Sequence, residues 1–350
     1  MLAALATLVG CGVSTTENVT PAAGAGGPAP AGAPRFLFVT NTTADWWLAA
    51  ETGVKEGAKA FGVRAELRQN DGTVQGQIDK LREALSLPGI KGVAVSALEA
   101  DAPGIVDAMN ELRKAGLVVI TIDSDVAPQH AGARSGYIGT DNLKAGETLG
   151  KAAALFRPRG SNVAVFVGTS GSANAIARAD GFFRGAGPAF KKLQTYEDFN
   201  DFAKNQQNVQ TALTKSPKPD TLLGLWAYNA PILAEEAEKS SGKGGPLVVT
   251  FDLAEAAIPH LERGGIAVSV VQNPYEMGYQ GVRLLKALVE EDEKAIAEIL
   301  PDGKVRDTGV RVVVPPGNVG TVTPEALGGA EVLTIDAMKS WLAEKGLKSS

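Results

Sequence analysis

The feature that most constrains this chain is a pattern that occurs twice. From Arg35 onward, short apolar runs alternate with helical segments: RFLFVT (35–40), VRAEL from Val63, GVAVS from Gly92 and LVVITID from Leu117. Between the first two runs, Trp47, Ala50, Val54, Ala58 and Phe61 recur three or four residues apart, the spacing of one helical face. Further helices are read around Ile78, Leu81 and Leu85 and over 101–115. The alternation then restarts with NVAVFVG from Asn162, a weaker run near Lys192, TLLGLW from Thr221 and PLVVTFD from Pro246. Each fourth run ends in aspartate, Asp123 and Asp252, 129 residues apart, and each is followed by a fifth run, YIG (137–139) and IAVSVVQ (266–272). Strands alternating with helices of this length imply βαβ units and parallel sheets. A repeat on this scale implies two lobes rather than one large sheet. The expected fold is α/β, with two similar doubly wound parallel-sheet lobes joined by crossover strands and a ligand cleft between them.

Thr140-Asp141-Asn142 and Gln272-Asn273-Pro274 stand at matched positions after the fifth strands, where the chain is expected to cross between lobes. That reading assigns 35–140 plus 273–297 to the N-terminal lobe and 141–272 plus 298–320 to the C-terminal lobe. The strand TGVRVVV ends at Pro-Pro-Gly (315–317), and residues 321–350, with a helix around Ile335–Lys345, read as a C-terminal extension.

The N-terminus reads as an address and a tether. Residues 1–10, MLAALATLVG, are apolar but too few to span a bilayer, and read as the hydrophobic part of a secretory signal. Leu8-Val9-Gly10-Cys11 resembles a bacterial lipobox, which implies cleavage before Cys11 and lipidation of its thiol. Residues 21–34 contain only Ala, Gly and Pro, so 11–34 reads as a linker between a lipidated cysteine and a folded body.

Composition removes several classes of function. Lys plus Arg number 34 against 39 Asp plus Glu, a net charge of −5 that lacks the footprint of a nucleic-acid binder. A single cysteine allows no internal disulfide, and with two histidines, His130 and His260, the sequence offers no Cys/His cluster for a zinc site of the usual ligands. These histidines read as solvated or capping residues. No cofactor is expected. The loop 168–174 (GTSGSAN) lacks the lysine of a phosphate-binding loop and is not a nucleophile elbow. No catalytic residue is assigned.

In open parallel sheets, ligands bind beyond the carboxyl ends of the strands. The first repeat delivers Thr40, Trp46, Trp47, Ser96 and Asp123 there; the second delivers Asn174, Arg178, Trp226, Tyr228, Asn229, Asp252 and Gln272. This set suits a polyhydroxylated ligand. Aromatic faces cover the C–H face of a sugar ring, carboxylates accept from hydroxyls, and a guanidinium donates in a fixed fork. Each residue also has a plainer role: the tryptophans as core, the aspartates and Asn229 as helix caps, Arg178 in a surface ion pair.

Taken together, FVTNTTADWW (38–47), VVITIDSD (118–125), YIGTDN (137–142), NAIARADGF (174–182), LWAYNAP (225–231), VVTFD (248–252) and VVQNPYEMGYQ (270–280) resemble the periplasmic sugar-binding proteins of ABC importers, in the ribose-binding group. The resemblance implies that Trp46 and Trp47 sandwich the sugar, that Asp123 and Arg178 are the carboxylate and guanidinium contacts of the two lobes, and that Asn229, Asp252, Gln272 and, in some relatives, Asn174 complete the site. Ser124 stands where ribose binders have Arg, and Ala44 where they have Asn. The implied ligand is therefore a differently substituted monosaccharide or a cyclitol such as inositol.

The implied function is an extracytoplasmic, lipid-anchored, monomeric solute-binding protein that closes on its sugar and docks on a membrane permease. Three other readings stay open at this point: a sugar sensor for a chemoreceptor or kinase, a LacI-type effector domain, and a glycosidase using the two aspartates.

Overall fold

The computed structural model describes residues 29–30, 32–241 and 245–350. The signal segment, Cys11 and most of the linker lie outside the described residues.

The first lobe begins β1 (Arg35–Val39), α1 (Trp46–Phe61), β2 (Arg64–Arg68), α2 (Val74–Glu83), β3 (Ile90–Val95), α3 (Pro103–Lys114), β4 (Val118–Ile122) and β5 (Tyr137–Gly139). The chain then builds α4 (Asn142–Phe156), β6 (Ser161–Val167), α5 (Ala173–Ala186), β7 (Phe190–Glu197) and α6 (Phe202–Thr214). There follow β8 (Thr221–Gly224), α7 (Asn229–Ser241), β9 (Leu247–Phe251), α8 (Ile258–Glu262) and β10 (Val268–Val271). The last elements are α9 (Pro274–Val289), α10 (Glu293–Ile299), β11 (Val305–Asp307), β12 (Arg311–Val314), β13 (Glu331–Thr334) and α11 (Ile335–Glu344).

Two sheets result, ordered β11-β5-β4-β3-β1-β2 and β13-β12-β10-β9-β8-β6-β7. Pairing is parallel except between β10 and β12. In each sheet the first strand of the repeat, β1 or β6, lies inside, so the winding reverses beside it. The strands read as continuous apolar runs because both faces of a parallel sheet are covered. Phe36, Phe38, Ile120 and Ile122 face one core of the first lobe, while Leu37, Val39, Val93 and Val119 face the other. That is the alternation a strand imposes.

The chain crosses after β5 and again after β10. Asp141 and Asn273 cap the helices that follow, their side chains accepting from Lys144 N and Glu276 N. Helix α4 then packs in the second lobe, with Ala145 and Leu149 in its core, and α9 in the first, with Met277 and Val282 in that core.

The third crossing differs from the sequence reading. β11 pairs with β5, so residues 298–307 stay with the first lobe, and the return to the second lobe falls between β11 and β12. The three-residue strand VRD carries too little apolar pattern to be read from sequence. Residues 321–350 are likewise no appendage. β13 extends the second sheet beside β12, and Ile335, Met338 and Leu342 of α11 fill its core. The last residues return to the crossover region, where Ser350 pairs by backbone with Leu253 and Ser349 Oγ donates to Asp45 O.

Candidate ligand-binding site

The carboxyl ends of the two sheets face one another across a cavity lined by Asn41, Thr42, Ala44, Trp46, Trp47, Asp123, Asn174, Arg178, Trp226, Ala227, Tyr228, Asp252 and Gln272. The lobes touch beside it: Ala100 N donates to Gly171 O at 3.0 Å, and Ser172 Oγ to Leu98 O.

The two aspartates occupy equivalent places. Each follows a fourth strand, and its N–H donates to the neighbouring fifth strand, Asp123 to Ile138 O (3.0 Å) and Asp252 to Val270 O (2.8 Å). Each has a left-handed backbone, φ 57° and 63°. That conformation is costly for most residues and least so for Gly, Asn and Asp. It turns both carboxylates into the cleft. Asp123 accepts from Ser96 Oγ (2.8 Å) and, across the cleft, from Asn174 Nδ2 (3.5 Å). Asp252 accepts from Gln272 N (3.2 Å) and Arg178 Nη1 (3.4 Å).

Arg178 is 1% exposed. It rises from α5, which lies so close to α4 that a Cβ at Gly146 would meet Arg178 O at 2.4 Å. Its Nε donates to Asn142 Oδ1 (2.9 Å) and its Nη1 to Leu225 O (2.7 Å), while the guanidinium lies over the Phe251 ring. Its Nη2 has no hydrogen-bond partner. Trp46 Nε1 points at the Asp252 carboxylate and helps to stabilise its charge. The Arg178 Nη2 donor is thus buried at the cavity without a partner, which is costly.

Burial raises the carboxyl of Asp252 to about 6, against the pull of Arg178, and raises that of Asp123 in the same way. Two buried carboxylates share one guanidinium. Ser124 adds no cation, and its Oγ is buried without a partner. Asp125 is held apart by Arg134 in a two-pronged pair at 2.5 and 2.7 Å.

Of the residues read from sequence, Trp46, Trp47, Asp123, Asn174, Arg178, Asp252 and Gln272 line the cavity. The structure places Ser96, Thr40 and Asn229 behind the wall. Ser96 holds Asp123, Thr40 Oγ1 accepts from Asn70 N (2.8 Å), and Asn229 Oδ1 accepts from Trp226 N (3.1 Å). Trp226 and Tyr228 form the wall instead of Asn229, because α7 starts at Asn229 and turns that side chain back on its own N-terminus. The tryptophans 46 and 47 meet edge to face at 4.8 Å, line the cavity and are also part of the first-lobe core. His130 pairs with Asp101, and His260 lies beside Glu238 and Arg263, neither lining the cavity.

Sequence reading placed Gly168 in the loop 168–174 at a strand end without giving it a role of its own, and did not single out Asp198. A Cβ at Gly168 would lie 2.2 Å from the Trp226 ring and 2.7 Å from Tyr228 Oη. Gly168→Ala is expected to displace both rings, with an overpacking cost of about 1–3 kcal/mol. Calorimetric titration should show weakened binding, together with a lower Tm.

The periplasmic binding protein domain family matches residues 36–294, well over half of the chain. The chain is 27% identical over 297 residues to the D-ribose/D-allose-binding protein of Pseudomonas aeruginosa, covering 81% of this chain and 89% of that one. Among solved structures, it is similar to a glucose-galactose binding protein from Geobacillus stearothermophilus, with TM-score 0.70 and 27% identity, over 80% of this chain and 96% of that one. It is also similar to an ABC transporter solute-binding protein from Burkholderia graminis in complex with D-arabinose, with TM-score 0.72 and 26% identity, over 83% and 98% of the two chains. With two parallel sheets facing one cleft and a match spanning both, this chain belongs to the periplasmic binding protein domain family.

Proposed function

We propose that the chain captures a monosaccharide or cyclitol outside the cytoplasm and delivers it to the permease of an ABC importer. The observation that carries this reading is the convergence of both lobes on one cavity. Its walls are aromatic, its acceptors are Asp123 and Asp252, and its unpaired donor is Arg178 Nη2. A ring bearing several hydroxyls answers each of these at once, since a hydroxyl both donates and accepts. Closure follows from differential affinity: the ligand contacts Trp46 and Asp123 from one side and Arg178 and Asp252 from the other only when the lobes meet. Cys11 and the Ala/Gly/Pro linker fit a lipid-tethered monomer whose body moves near the membrane surface.

The test is a thermal-shift screen of the protein with D-ribose, D-allose, D-arabinose, D-galactose, myo-inositol and a set of amino acids. A ligand that binds only the native state at 100 times its Kd adds about 2.7 kcal/mol. A selective upward shift with one polyol is expected. No shift with any polyol, or a shift with amino acids alone, overturns the reading.

A further inference from the structure

We propose that Asp198, which does not line the cavity, is a positioning residue that fixes the Tyr228 wall to the rim loop that meets the opposite lobe. The proposal rests on that same cavity being the ligand site. Asp198 directly follows β7 and is 1% exposed. Its Oδ1 accepts from Tyr228 Oη and from Asn200 N (2.9 Å), and its Oδ2 accepts from Asn229 Nδ2 (3.2 Å). One carboxylate therefore ties together two segments distant in sequence.

The first segment is the wall. Trp226 and Tyr228 line the cavity, and Asn229 holds Trp226 N. The second is the rim loop. Phe199 and Asn200 both have positive φ, 54° and 64°, a conformation that non-glycine residues hold only when their surroundings impose it. The bond from Asn200 N to Asp198 is such a constraint. Asn200 reaches the first lobe: a Cβ at Gly72 would lie 3.3 Å from its Nδ2 and 3.5 Å from Thr42 Oγ1. Both polar atoms of the Asn200 amide are buried without a hydrogen bond. The wall that meets the ligand and the loop that meets the other lobe thus share one anchor, and ligand seating and lobe closure are set together through it.

Three variants test this. Asp198→Ala removes all three bonds. Asp198→Asn keeps the oxygen that serves Tyr228 and Asn200 but sets an amide against that of Asn229. Tyr228→Phe removes one link from the other end. Hydrogen exchange on the ligand-free full chain is read first. Faster exchange is expected in Asp198→Ala at both 199–202 and 225–229, with β6 and β9 unchanged, and in Tyr228→Phe at 199–202 as well. Titration with D-allose and D-arabinose is read second. Asp198→Ala should bind about tenfold or more weakly, as leaving buried polar groups unpaired implies. Asp198→Asn should recover most of that loss, and the double variant should be no weaker than Asp198→Ala alone.

Unchanged exchange at 225–229 in Asp198→Ala, or losses that multiply in the double variant, overturns the proposal. If Asp198→Ala does not fold, the same comparison runs between Asp198→Asn and Tyr228→Phe, and exchange confined to the mutated segment in both overturns it. Failure of the wild-type chain to bind either sugar counts against the sugar reading, while the exchange result still decides the role of Asp198.

Discussion

Arg178→Ala is expected to bind no polyol at millimolar concentration and to unfold at a clearly lower temperature than the wild type. The guanidinium does two things at once. Among the described residues it is the sole cation lining the cavity, with Nη2 unpartnered, and it joins α4, the end of β8 and Asp252 through Asn142 Oδ1, Leu225 O and the Asp252 carboxylate. Removing one partner of a buried pair typically costs about 3–5 kcal/mol, because the other charge remains buried. The sign of the pH dependence follows. Asp252 already has a folded pKa above its ordinary 3.8, and without Arg178 the largest pull against burial is gone. The native state of the variant then holds protons that the unfolded chain releases, so its stability deficit widens as pH rises. Thermal melts from pH 5 to 8 measure this. A variant with wild-type affinity sinks the site assignment, and a pH-independent deficit sinks the charge argument.

Asp252→Asn is expected to abolish binding yet melt at a temperature equal to or a few degrees above the wild type. At Asp252, a shift from 3.8 to about 6 corresponds to roughly 3 kcal/mol of cost above pH 6. Because the folded value is raised, this cost is absent below pH 3.8 and complete above about 6. Replacing this carboxylate leaves Asp123 and Arg178 as a balanced pair, and asparagine accepts the left-handed backbone that Asp252 holds at φ 63°. Asp252→Ala removes the same charge but places a residue ill suited to that backbone, costing about 1–2 kcal/mol, and should melt below Asp252→Asn. Scanning calorimetry of both variants with titration of the tightest polyol checks the pair. An Asn variant markedly less stable than the wild type would show that the carboxylate holds the fold together rather than being tolerated for its ligand. Wild-type binding in the Asn variant would remove Asp252 from the site.

Much of the architecture was legible in the chain, and the reasons are local. Leu37 and Phe38 point to opposite faces because a strand alternates, and Val54 and Ala58 share a face because a helix turns every 3.6 residues. Such patterns depend on near neighbours alone. The same holds for Asp123 and Asp252, whose place at the ends of matched strands puts them at the cleft in any doubly wound sheet. What escaped were features without a local pattern. The strand VRD at 305–307 is defined by its pairing with β5, and β13 by its pairing with β12. Asp198 looked like any polar residue after a strand until Tyr228 and Asn229 were brought to it from thirty residues away.

By itself, then, the sequence determined the two repeated lobes, the places where the chain first crosses between them, and which strand ends carry carboxylates, guanidinium and paired indoles. All of these are set by periodicity and by position along the chain. Tertiary structure alone decided which of neighbouring side chains faces the cavity: Tyr228 and not Asn229, Asp123 and not its support Ser96. It also decided that two carboxylates share one buried guanidinium. The physical reason is that burial and charge compensation belong to the space between the lobes. That space is filled by residues from both repeats, and no stretch of chain contains it.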